Sequence, residues 1–182
     1  MNMEAEEVID YWFSDRMRKS WFSSTVELDR EIKQRFEIVW EQARIGELDG
    51  WKSSASGALA LVIILDQFPL NMFRGEAKGF STESKAIEVS LYAIEKGYDK
   101  ELAAEQLGFL FMPLMHSEKM EHQDLSVEMY RRHNLKANIQ FAEHHRGIVE
   151  KYGRFPHRNE ILGRVSTAAE LEYLQSDAAF KG

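Results

Sequence analysis

The side chains with the most chemical capacity gather in one stretch, YGRFPHRNEILGRVST, from Tyr152 to Thr167. It places Arg154, His157, Arg158, Asn159 and Arg164 within a few turns, punctuated by Gly153, Pro156 and Gly163. From Lys151 to Arg164, four basic residues stand against one acid, Glu160, a formal +3 in a chain of net −7. Such an excess calls for acidic partners inside the fold or for an anionic ligand. Guanidinium forks suit bidentate capture of a carboxylate or phosphate. Pro156 fits the first position of a helix, where unpaired amides and the positive end of the dipole favour anions. In the opposing reading these arginines neutralise Asp66, Glu118 and other inward acids, and Asn159 caps backbone. The residues by themselves leave the two readings balanced.

Three histidines stand in unusual contexts. At 100° per residue, His145 falls between Phe141, Ile148, Val149 and Tyr152, the centre of an apolar face, with His144 at its border. His116 follows the apolar run FLFMPLM, and His157 directly follows Pro156. A lone inward histidine is commonly a hydrogen-bonded core residue, and the company of the other two moves the balance toward function. An imidazole neutral near physiological pH suits a general base, so His145 and His116 are the candidate bases. Asp66, the third catalytic candidate, closes an apolar helix and should need a guanidinium partner. Arg74 is the nearest in sequence, and Arg154, Arg158 and Arg164 are the others.

Other chemistries find less support. His116, Glu118, His145 and His157 offer nitrogen and oxygen ligands, but no H-x-x-x-H pair pre-sets two of them on one helical face. Neither a metal nor a cofactor is expected. Ser117 lies beside His116, yet there is no G-x-S-x-G elbow, Walker loop or G-x-G-x-x-G.

Helices must position these groups. Glu4 to Phe13 carries a stripe of Val8, Ile9, Trp12 and Phe13, and Trp21 and Phe22 should anchor the following turn to the core. Val26 to Ile45 repeats apolar residues at three and four, with Gly46 as its left-handed stop. Ser56 to Phe68 is apolar on all sides, so it should be the buried central helix, ended by Pro69. Further helices are expected from Ser81 or Thr82 to Lys96, from Glu101 to Met112, from Lys119 to Arg132 and from Leu135 to Tyr152. Thr167-x-x-Glu170 is a capping box for a last one. Strand signals are missing. The fold class is all-α, a single domain over residues 1–182 of about seven to nine helices.

Composition bounds the rest. With no cysteine among 182 residues, neither disulfides nor thiol chemistry can operate. The acidic start departs from a secretory signal, and the apolar run from Ala58 to Leu65 is too short to span a bilayer. The expectation is a cytoplasmic protein without a membrane partner. A net charge of −7 also opposes nucleic-acid binding.

Several strings carry a family likeness: LALVIILDQFPLNMFRG, FMPLMHSE, and FAEHHRGIVEKYGRFPHRNEILGRVST, with IDYWF and the pair Trp21–Phe22. The chain resembles the bacterial family called domain of unknown function 924 over nearly its whole length. That resemblance implies an all-helical, tetratricopeptide-like superhelix with no established activity. It also marks two departures, Leu70 where the family usually carries Arg and Glu83 where it carries Asp.

Two function classes follow. One is a small-anion site, binding or hydrolytic, with His145, His116 and Asp66 as reacting groups. Arg74, Glu118, Arg154, His157, Arg158, Asn159 and Arg164 would be its ligand-binding residues. The other is a protein or peptide interaction module without catalysis.

Overall fold

The computed structural model describes residues 3–180, and no strand occurs among them. Among the described residues, nine helices and a few single turns make up the all-α fold. The chain folds into two compact units, residues 1–113 and 114–182.

The first unit holds α1 (Ala5–Trp12), α2 (Val26–Ile45), α3 (Ala55–Met72), α4 (Glu83–Lys96) and α5 (Ala104–Leu110). In α2 Thr25 Oγ1 accepts the Leu28 amide at the start, and Gly46 stops the helix at φ 91°. The expected stripe, Leu28, Ile32, Phe36, Val39, Trp40 and Ala43, is buried. α3 has the length and apolar composition of a membrane span, but 83% of it is buried inside the protein, the place of a core helix. Its start is pressed so close to the Trp51 carbonyl that a Cβ on Gly57 would lie 2.1 Å from that oxygen.

Pro69 does not end α3, contrary to expectation; the helix runs on to Met72. The residues Ile63–Gln67 widen into a π turn, in which the Phe68 amide reaches the Ile63 carbonyl. Pro69 has no N–H for the Leu65 carbonyl, four residues back. The Thr82 hydroxyl takes that role, donating to Leu65 O at 2.6 Å and accepting from Trp40 Nε1 at 3.1 Å. Thr82 precedes α4 without capping it, because its hydroxyl is committed to α3. Trp21 packs on Trp12, Phe13 and Phe109 as expected, whereas Phe22 is 81% exposed and anchors nothing.

α6 (Met112–His116) carries the division between the units. The second unit continues with α7 (Met120–Arg132), α8 (Lys136–Tyr152) and α9 (Ala168–Gln175). α7 and α8 pack side by side, and α8 ends at Gly153, φ 71°. Thr167 and Glu170 form the expected capping box at α9, with Thr167 Oγ1 accepting the Glu170 amide at 3.2 Å.

Candidate functional site

Of the ten residues singled out from sequence, Asp66 and Arg74 lie in the first unit and the other eight in the second. The expected Asp66–Arg74 clamp is not what forms. Arg74 gives Nε and Nη2 to Asp29 at 2.6 and 3.1 Å. Asn71 Nδ2 and Ser24 Oγ, each at 2.7 Å, complete the set around that carboxylate. Burial alone would raise the Asp29 pKa; these donors outweigh it and lower it. Asp29 sits in the first turn of α2, where a carboxylate faces the positive helix end, and Arg74 reaches it from the turn that follows α3. Asp66 is buried in the π turn and accepts from Gln67 Nε2.

In the second unit the arginines are clamped. Arg154 holds Glu170 with Nε–Oε1 2.6 Å and Nη2–Oε2 2.8 Å, and its Nη2 also reaches Val165 O at 2.8 Å. The Arg154 fork brings the Glu170 pKa down to about 2, against the effect of burial and helped by the Thr167 amide and Asn159. Arg164 binds Glu118 through Nη1 at 2.7 Å and Nη2 at 2.9 Å, and gives Nε to Asn159 Oδ1 at 2.9 Å. Glu118 additionally takes the Phe155 amide at 2.7 Å. Burial pushes the Glu118 pKa up, but Arg164, that amide and the Arg158 charge prevail and lower it. Arg158 is buried, lies over the Phe155 ring at 4.7 Å, and donates Nη2 to His116 O at 2.9 Å.

The helix expected from Pro156 is a single 3-10 turn, Pro156–Arg158. Its following amides turn inward, Arg158 N to Phe155 O and Asn159 N to Pro156 O. It has no dipole of consequence and presents no row of amides to an anion.

The histidines behave differently. His145 is 4% exposed, and its Nδ1–H donates to Phe141 O at 2.7 Å, one turn back on α8. That bond fixes the neutral tautomer and leaves the Nε2 lone pair as an acceptor. Burial, reinforced by the His116 charge, lowers the His145 pKa to about 3. Burial and the Arg158 charge lower that of His157 to about 4, with Glu118 opposing. Nδ1 of His157 is buried and meets no hydrogen-bond partner among the described residues. Phe155 lies between the two rings, 5.5 Å from His145 and 5.7 Å from His157. Phe180 lies against both, at 4.6 and 5.0 Å.

The pairing of Ser117 with His122 and one surface cleft had no reading in the sequence. Ser117 Oγ meets His122 Nδ1 at 2.8 Å and accepts the Lys119 amide at 3.2 Å. Ser117 is only 2% exposed, so this is a pre-helical cap rather than an accessible nucleophile. The spacing S-x-x-x-x-H ahead of a polar helix was its signal. The other is a shallow cleft of about 390 Å³ lined by Asp124, Val127, Glu128, Arg131, Arg132 and Arg146. It contains none of the expected site residues. Its arginines hold Glu143, Glu128 and Asp124, so it is a solvated ion-pair face of α7 and α8.

Residues 8–178 match the family described as bacterial protein of unknown function (DUF924). The chain belongs to this family. A solved structure of a protein of unknown function from Agrobacterium tumefaciens shares the fold at a TM-score of 0.87 and 34% identity, covering 94% of this chain and 96% of that one. Comparison with curated proteins finds no match. Glu83 stands in the first turn of α4, where its carboxylate complements the helix dipole. Leu70 places an aliphatic chain on the last turn of α3, where an arginine would add a charge.

Proposed function

We propose that the protein binds a small molecule at the imidazole cluster of His145 and His157, with His116 beside them, through hydrogen bonds that the ligand donates. The observation that carries this reading is the His157 Nδ1, buried and unpartnered among the described residues, next to an imidazole whose Nε2 is left as an acceptor. Leaving such a group unsatisfied typically costs about 1–3 kcal/mol, so its retention is best explained by a partner that arrives from outside.

Neutral imidazole acceptors suit a hydroxyl or amide donor better than a carboxylate or phosphate. The small-anion version has less support, since Arg154 and Arg164 spend their forks on Glu170 and Glu118. Hydrolysis is likewise disfavoured. A general base works best with a pKa near the working pH, and rings near 3 and 4 take protons poorly at pH 7. The peptide-docking alternative rests on the helical fold alone, which does not specify an activity.

Thermal melts with phenol, acetate, succinate, phosphate and sulfate test the reading. Phenol should raise the melting temperature with concentration, as mass action requires, and His157→Phe should abolish the response. Stabilisation by the anions that survives His157→Phe would overturn it.

A further inference from the structure

The segment that follows α9, residues 176–180, is irregular, and it carries the ring that covers the imidazole cluster. Phe180 stands edge-on to both imidazoles, at 63° to His145 and 79° to His157, and meets His144 at 6.2 Å. Phe180 is only partly buried, whereas the His145 it packs against is buried. The backbone is tied by Phe180 N to Tyr173 Oη at 2.9 Å, and Ala179 N folds back to Ser176 O at 3.2 Å. Ser176 N and Oγ also bind Tyr173 O, at 3.0 and 2.7 Å; short irregular segments held by local ties of this kind open at low cost.

We infer that Phe180 is a built-in stand-in for the ligand, filling a subsite for a planar apolar ring that empties when the segment swings away. This rests on the site assigned above and names its ligand class: a flat ring bearing a hydrogen-bond donor, the phenols being the simplest. The ring would take the place of Phe180 between the imidazole edges, an arrangement aromatic groups favour. The donor would meet His145 Nε2 or, in the tautomer protonated at Nε2, His157 Nδ1, acceptors that Phe180, a hydrocarbon ring, cannot satisfy. Access would then be governed by the protein's own side chain.

Two readouts test this. Diethyl pyrocarbonate modification, mapped residue by residue, reports access to each imidazole without any ligand. Phe180→Ala should speed modification of His145 and His157 about tenfold, with His133 at the end of α7 unchanged as the internal reference. Tyr173→Phe, which removes only the tie to the Phe180 amide, should act in the same direction by a smaller factor, and it decides the matter if Phe180→Ala loses its helical signal. Phenol should bind Phe180→Ala about tenfold tighter than wild type, while anisole (ring, no donor) and cyclohexanol (donor, no flat ring) gain little. Unchanged modification rates, or equal acceleration at His133, would show that Phe180 is ordinary core and overturn the strap, while leaving phenol binding to the wild type as a separate test of the site. Faster modification without a gain for phenol would overturn the ring subsite.

Discussion

Within the second unit, two polar groups a few residues apart in sequence are built on opposite terms. The arginine clamps are closed systems. Every carboxylate oxygen of Glu118 and Glu170 meets a guanidinium, and backbone amides complete the sets. The imidazole cluster holds rings that burial keeps neutral, and one nitrogen, His157 Nδ1, is buried and unpartnered among the described residues. Charge alone would have put the function at the arginines. Satisfaction of hydrogen bonds, rather than charge, separates the groups that hold the fold from those that have something left to offer.

That contrast breaks most visibly at Arg164. Arg164→Ala would strip Glu118 of both guanidinium bonds and free Asn159 Oδ1 and Phe155 O. A cost of about 3 kcal/mol is expected by denaturant unfolding, toward the low end for a buried pair because Glu118 is partly solvated. A change within error would mean that the clamp is an ordinary surface pair.

A smaller effect, with a distinct pH window, comes from the histidines. Both rings are held neutral in the fold at pH values where the unfolded chain protonates them. Their contribution is therefore fully present above about pH 6.5 and is lost as pH falls toward 4 and then 3. The slope should approach about 1.4 kcal/mol per pH unit for each ring. His145→Phe should remove one ring's share between pH 6 and 4.5. Glu170 acts in a lower window, its contribution fading as pH falls from the ordinary glutamate value through about 2. A stability curve flat from pH 7 to 5 would mean that the imidazoles are solvated.

What the sequence made legible was local. Periodicity located α2, and Gly46 adopts the left-handed conformation expected of its stop, as do Gly97 after α4 and Gly153 after α8. The capping box at Thr167 also formed. What escaped depended on partners distant in the chain. Nothing near Pro69 shows that a threonine thirteen residues later will satisfy the carbonyl it orphans and let α3 continue. Arg74 found Asp29, forty-five residues away, because α2 and α3 pack together. His145 was visible from the apolar face of α8, but Phe180 was not, because one aromatic in an irregular segment carries no periodic signal.

The most direct test of the central contrast is nitrogen-15 NMR of the imidazole rings, titrated with pH and then with phenol. His145 should stay neutral down to about pH 4 with Nδ1 protonated and Nε2 bare, and His157 should stay neutral down to about pH 5. Phenol should move the Nε2 resonance of His145 and the Nδ1 resonance of His157 while leaving the Arg154 and Arg164 guanidinium signals unchanged. Titration of both rings near pH 6.5, with ligand shifts appearing at the arginines instead, would contradict it.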